Sequence, residues 1–160
     1  MKNKSAPSLK NIDVIFLSFF GVGFCPIAPG TAGTIATLPI LYALGQYNIP
    51  IVFIIPFIII TTIISSFLSD WAQRKYKTHD PSWIVIDETL GIIVAWLFVQ
   101  SNNWVELVVI TILFRIFDIY KIWPASYFDK KVKHGAGIIL DDLISGIYAG
   151  LVFLLLKLLV

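Results

Sequence analysis

The sequence predicts an all-α fold: a polytopic membrane helical bundle of about five spanning helices plus a short N-terminal interfacial or re-entrant helix. Three observations carry this prediction. First, 58% of the 160 residues are hydrophobic and 14% are charged, with mean hydropathy +0.85. A soluble domain is nearer half apolar and a quarter charged. Second, several apolar runs approach the length of about 20 residues that crosses a bilayer. Third, basic residues gather in alternate polar stretches, the pattern that orients membrane helices. The length suits one membrane-embedded domain over residues 1–160. The net charge of +2 gives no argument for a nucleic-acid partner, and the single Cys25 excludes an internal disulfide or a cysteine zinc cluster. No obligate protein partner is evident.

Taken in order, "MKNKSAPSLKNID" is basic, and no small-residue cleavage site follows it, so it reads as a retained cytoplasmic end. Ile12–Phe24 is too short to span and is broken by "GFCPIAPGTAGT". It reads as the interfacial or re-entrant helix, with Thr31–Leu44 as the first crossing. Ile51–Ser69 is the cleanest span, with Pro56 as a kink site. Trp83–Val99, Trp104–Tyr120 and Ile138–Val160 follow. Lys2, Lys4 and Lys10 precede the first run. Arg74, Lys75 and Lys77 lie in 70–82, and Lys121, Lys130, Lys131 and Lys133 in 121–137. These stretches are assigned to the cytoplasm and the C-terminus to the outside. Trp71, Trp83 and Trp123 mark the inner interface and Trp104 the outer one. Asp80 before Pro81 reads as a helix N-cap.

The charges inside this apolar chain then fall at one depth. Asp87 and Glu88 lie in the cytoplasmic half of one helix, and Asp141 and Asp142 about one turn into another. Arg115, Asp118 and Lys121 end a third. A charge at the bilayer centre costs roughly 2.5–3.5 kcal/mol on insertion scales, so such residues face a compensating partner. Arg115 and Lys121 supply some compensation. A divalent cation held by Asp87, Glu88, Asp141 and Asp142 would supply more, and hard carboxylate oxygens suit Mg²⁺, Mn²⁺ or Ca²⁺. "APGTAGT" adds backbone N–H groups at a helix start, an anion cradle involving Thr31, Gly33 and Thr34. Acidic pairs, a cradle and two cations describe a phosphate site. Asp118 and Lys121, three apart, also fit a plain helical ion pair. His134 fits either a loop residue or a phosphate contact, and Lys133 either a topology signal or a headgroup contact. Gly146 and Gly150 form a GxxxG, a signal for close helix packing.

Four segments in order, "PIAPGTAGT" (26–34), "DPSWIVIDETLG" (80–91), "FRIFDIYKIWP" (114–124) and "KHGAGIILDDLISG" (133–146), resemble the phosphatidylglycerophosphatase A family. Together IVxDE, RxFDxxK and GxGxxxDD are specific. The family pattern has proline directly after the lysine of the third segment. Here Ile122 stands there, and Pro124 is kept. The resemblance implies a bacterial inner-membrane enzyme that hydrolyses phosphatidylglycerophosphate, an anionic phospholipid, to phosphatidylglycerol at the cytoplasmic face, with Mg²⁺. It implies catalytic roles for Asp87, Glu88, Asp118, Asp141 and Asp142, with Asp118 completing the metal shell or orienting water. Thr31, Gly33, Thr34, Arg115, Lys121, Lys133 and His134 would bind the phosphate. Two other classes compete. An ion or proton transporter would continue its polar path outward, where Glu106 and Lys157 are almost the sole charges. A CDP-alcohol phosphotransferase would carry a DGxxAR pattern, which is absent.

Overall fold

A computed structural model describes residues 7–78 and 81–159. Among them are seven α-helices and no strand: α1 (Ile12–Leu17), α2 (Pro29–Gln46), α3 (Ile51–Tyr76), α4 (Ile86–Trp96), α5 (Trp104–Tyr120), α6 (Ala125–Lys131) and α7 (Gly135–Leu159). The expected cap at Asp80, and Lys2 and Lys4, lie outside the described residues.

The centre of the bundle is α4. It packs on α7 most extensively and also on α2, α5 and α3. Every α4 residue except Glu88 is buried, and Trp96, Leu90 and Ile92 are among the most deeply buried large side chains. The helix is shorter than the expected Trp83–Val99. Its 11 residues rise about 16 Å, roughly half of a hydrocarbon core. Tertiary bonds set both ends. The Val85 N–H donates to the Leu17 carbonyl of α1 (3.0 Å), so the chain enters α4 from a non-helical turn. After Trp96 the chain turns, and the indole N–H donates to the Ser101 carbonyl (2.9 Å). Trp83 is buried, stacked 6.0 Å from Phe24 and edge-on to Tyr76, so it is a core residue and not part of an interfacial belt.

The other boundaries move for equally local reasons. α3 runs on to Tyr76 through residues expected to form a loop. There Arg74 pairs with Asp70 one turn back (2.6 Å), and the Lys75 ammonium lies 4.0 Å over the Trp71 ring. Such i, i+4 partners extend a helix past its apolar segment. α6 forms inside another stretch expected to be a loop. α7 begins three residues before the expected Ile138, because Gly135 lies against the α3 backbone at Ser66 and Asp70. α5 matches its expected limits, and Asn103 Oδ1 caps it by accepting from the Val105 N–H (2.8 Å).

α3 and α7 are long and apolar enough to cross a bilayer. α3 leaves Val52, Phe53, Phe57, Ile60 and Phe67 more than half exposed. A contiguous apolar surface of this kind marks a membrane or partner surface rather than a water-facing one.

Candidate active site

Glycine brings the two acidic pairs together. A Cβ on Gly91 of α4 would lie 2.7 Å from the Asp142 carbonyl oxygen and 2.5 Å from the Phe114 ring. A Cβ on Gly146 of α7 would strike the Gly91 carbonyl. Without side chains there, the α4 and α7 backbones approach closely, as small residues permit in membrane bundles. Asp87 and Glu88, in the first turn of α4, therefore face Asp141 and Asp142 in the second turn of α7. Asp87, Glu88 and Asp142 each offer an oxygen, and these oxygens lie within 4.8 Å of one another. Asp141 stands beside this trio and bonds Lys121.

A cavity of about 210 Å³ opens at this junction. Asp87, Glu88, Asp118, Asp129, Asp141 and Asp142 line it, with Lys121, Pro29 and Gly30. Six carboxylates thus face Lys121 and the nearby Arg115. Among the described residues, Asp87 Oδ1, Glu88 Oε2 and Asp141 Oδ1 are buried without a hydrogen-bond partner. Buried polar atoms are normally satisfied, and a buried acidic excess is costly. Carboxylate oxygens clustered in this way fit a hard divalent cation, the chemistry that would satisfy them.

The basic groups take partners that the sequence did not disclose. Arg115 Nη1 lies 2.6 Å from Asp118 Oδ2, without the alignment of a hydrogen bond. Lys121 does not make the helical pair with Asp118 that their spacing would also fit. It adopts a left-handed backbone at the end of α5 (φ 41°), which turns its side chain out of the helical register. Its ammonium bonds Asp141 Oδ2 and lies 3.8 Å from Asp142 Oδ1 and 3.4 Å from Asp129 Oδ1. Burial opposes the charge on Lys121, but Asp142 and Asp141 outweigh it and hold the ammonium pKa above its ordinary value.

The start of α2 closes the cavity. A Cβ on Gly30 would collide with Glu88 Oε1 and lie 3.3 Å from Arg115 Nη1, so a larger residue there would displace the Glu88 carboxylate. The first N–H groups of α2 have no intrahelical acceptor, which favours an anion there. Thr31 is half-buried nearby. Gly33 and Thr34 are buried but do not line the cavity. Gly33 packs on Val85, and the Thr34 hydroxyl donates to the Gly30 carbonyl (3.0 Å). Lys133 and His134 are exposed. Lys133 lines a separate cleft of about 320 Å³ with Asp70, Arg74 and Lys77. Sequence reasoning missed Asp129, because its segment looked like a basic loop. It also passed over Gly30, although "APGTAGT" contains it.

A profile of phosphatidylglycerophosphatase A proteins matches residues 15–157. The chain belongs to the phosphatidylglycerophosphatase A family. It is accordingly a phosphatase, and each of the four segments that suggested the family contributes residues to the cavity lining. Phosphatidylglycerophosphatase A of Escherichia coli is 30% identical over 135 residues, covering 84% of this chain and 77% of that protein. The Haemophilus influenzae protein of the same name is 35% identical over 137 residues, covering 83% of this chain and 81% of that one. A Bacteroides thetaiotaomicron protein, provisionally named a phosphatidylinositol-3-phosphatase, is 33% identical over 143 residues, covering 86% and 89%. No solved structure matches the chain.

Proposed function

We propose that the protein hydrolyses phosphatidylglycerophosphate to phosphatidylglycerol and phosphate, with Mg²⁺, at the cytoplasmic face of the bacterial inner membrane. The observation that carries this reading is the convergence of Asp87, Glu88 and Asp142 oxygens within 4.8 Å, in a cavity that also presents Lys121. Membership of the family supplies the substrate class.

Asp87, Glu88 and Asp142 would hold the ion, with Asp141 beside them. When bound, Mg²⁺ supplies Lewis-acid polarisation of the phosphate and acidifies water at neutral pH. The protein's own groups do the rest. Arg115, steadied by Asp118, presents a planar fork to two phosphate oxygens, while Lys121 offsets charge as a point cation. The N-terminus of α2 at Gly30 and Thr31 adds backbone donors to the same anion. These donors act where charge grows in the transition state, the main source of catalysis in phosphoryl transfer.

The basic stretches support a cavity on the cytoplasmic side, with α2, α3, α4, α5 and α7 crossing in alternation. α4 is short for a crossing, but α2, α3, α5 and α7 pack against it. Its irregular flanks are therefore shielded by protein, the condition under which non-helical backbone is tolerated at membrane depth. In a Cys25→Ser background, single cysteines at Asn102 and Lys131 test this orientation. A membrane-impermeant thiol reagent applied to intact cells should label the first and spare the second, and the reverse pattern would overturn it.

Phosphate release from purified protein tests the reaction. Release is expected from phosphatidylglycerophosphate and is expected to depend on Mg²⁺, with phosphatidic acid run beside it as the comparison lipid. Faster release from phosphatidylinositol 3-phosphate would shift the substrate toward the chemistry named for the Bacteroides relative. Release from none of these lipids would remove the proposal.

A further inference from the structure

We infer that Asp129 is a positioning residue: it is a second seat for the Lys121 ammonium, and it draws that ammonium away from the buried carboxylates when a divalent cation binds them. The inference rests on the reading that Asp87, Glu88 and Asp142 hold such an ion.

Lys121 stands between two environments. On one side are Asp141, which it bonds, and Asp142 at 3.8 Å, whose side chains are 3% and 4% exposed. On the other is Asp129 at 3.4 Å, whose side chain is 36% exposed. Asp142 belongs to both groupings, since it also contributes to the trio of converging oxygens. A divalent ion on that trio and an ammonium near the same carboxylate repel each other, with twice the force of two unit charges. Lysine is a point charge on a flexible stem, so its ammonium can move while the backbone at the end of α5 stays in place. Asp129 offers a nearby counter-charge toward the mouth of the cavity. That seat is held in place. A Cβ on Gly137 of α7 would strike the Val132 carbonyl and lie 3.1 Å from the Phe128 carbonyl, so the end of α6 rests directly on the α7 backbone. Asp129 therefore stays within reach of Lys121 whichever partner the lysine takes.

A surface acid near a lysine could equally act as a bystander. The two cases differ in how Asp129 affects metal affinity. If Asp129 acts through Lys121, its loss leaves the ammonium to compete for Asp141 and Asp142. If it acts only by its own field, Lys121 is irrelevant.

Mn²⁺ binding to the purified full-length protein in detergent, followed by electron paramagnetic resonance without substrate, separates them. Asp129→Asn should raise the Kd for Mn²⁺ on the order of fivefold, the size of a partly exposed ion pair. Asp129→Glu should restore it. Lys121→Met should lower the Kd, and in that background Asp129→Asn should have no further effect, as a double-mutant cycle requires of coupled residues. An equal weakening by Asp129→Asn in both backgrounds would overturn the inference, as would unchanged affinity in the single variant. Absence of Mn²⁺ binding by the unaltered protein would overturn the metal reading and this inference with it. Asp129→Asn keeps the side-chain shape at a partly exposed position, and thermal melting shows whether the fold is intact.

Discussion

α5 and α7 run side by side and bring acid against base at both ends. At one end Lys157 of α7 meets Glu106 of α5 at 3.1 Å, with side chains 57% and 27% exposed. One charge answers one charge, and water reaches both. At the other end Arg115, Asp118 and Lys121 meet Asp141 and Asp142, joined by Asp87, Glu88 and Asp129 from neighbouring elements. There acids outnumber bases, and several oxygens are buried without partners. Ion pairs alone therefore do not distinguish the ends. What does is an unbalanced, buried excess, which a fold has no stability reason to keep.

The strongest way to break this comparison is to remove the excess. Asp87→Asn or Asp142→Asn should lower phosphate release on the order of 10²–10³-fold, the scale of losing one electrostatic contact to the transition state. Thermal melting should show a retained fold, since taking one of several repelling charges from a buried cluster is not destabilising in itself. Near-normal turnover in both variants would mean that the excess serves something other than this reaction.

A smaller effect separates charge from shape at the same end. Arg115→Lys keeps the charge but loses the planar fork. Turnover should fall about tenfold to a hundredfold, short of losing a donor outright. Steady-state kinetics locate the loss in kcat if the grip tightens in the transition state, or in KM if it does not. A silent substitution would reduce Arg115 to a counter-charge for Asp118.

The seam that assembles the excess gives a third test. Gly146→Ala places a methyl group against the Gly91 carbonyl of α4. Overpacking of this kind costs about 1–3 kcal/mol, which melting in detergent would register. Turnover should fall with it, because Asp142 and Asp87 are held together by that approach. A stable, fully active variant would show that the helices can separate without loss.

The smallest expected effect lies at the other end. Lys157→Met should leave phosphate release unchanged and alter stability by no more than about 1 kcal/mol, as for most exposed pairs. A large loss of activity would erase the contrast between the two ends and favour a path for ions running through the bundle.

The sequence by itself determined the helical class, the limits of α5, the acidic pairs and the family. These are properties of local pattern: hydropathy over a window, a cap such as Asn103, and short motifs with fixed spacing. It also placed Asp87, Glu88, Asp141 and Asp142 at one depth, because loop charges and helix rise suffice for that. Tertiary structure decided which groups meet. Val85 is pulled out of helix by Leu17, 68 residues away in the chain, so α4 became a short, enclosed helix. Lys121 left Asp118 for Asp141 because one left-handed residue redirected its side chain. Asp129 joined the cavity because α6 folds back on a glycine of α7. None of these follows from spacing, since a helix period fixes the neighbours within one helix. Partners between helices depend on where small residues let backbones approach, and on which buried charges have no other neighbour to answer them.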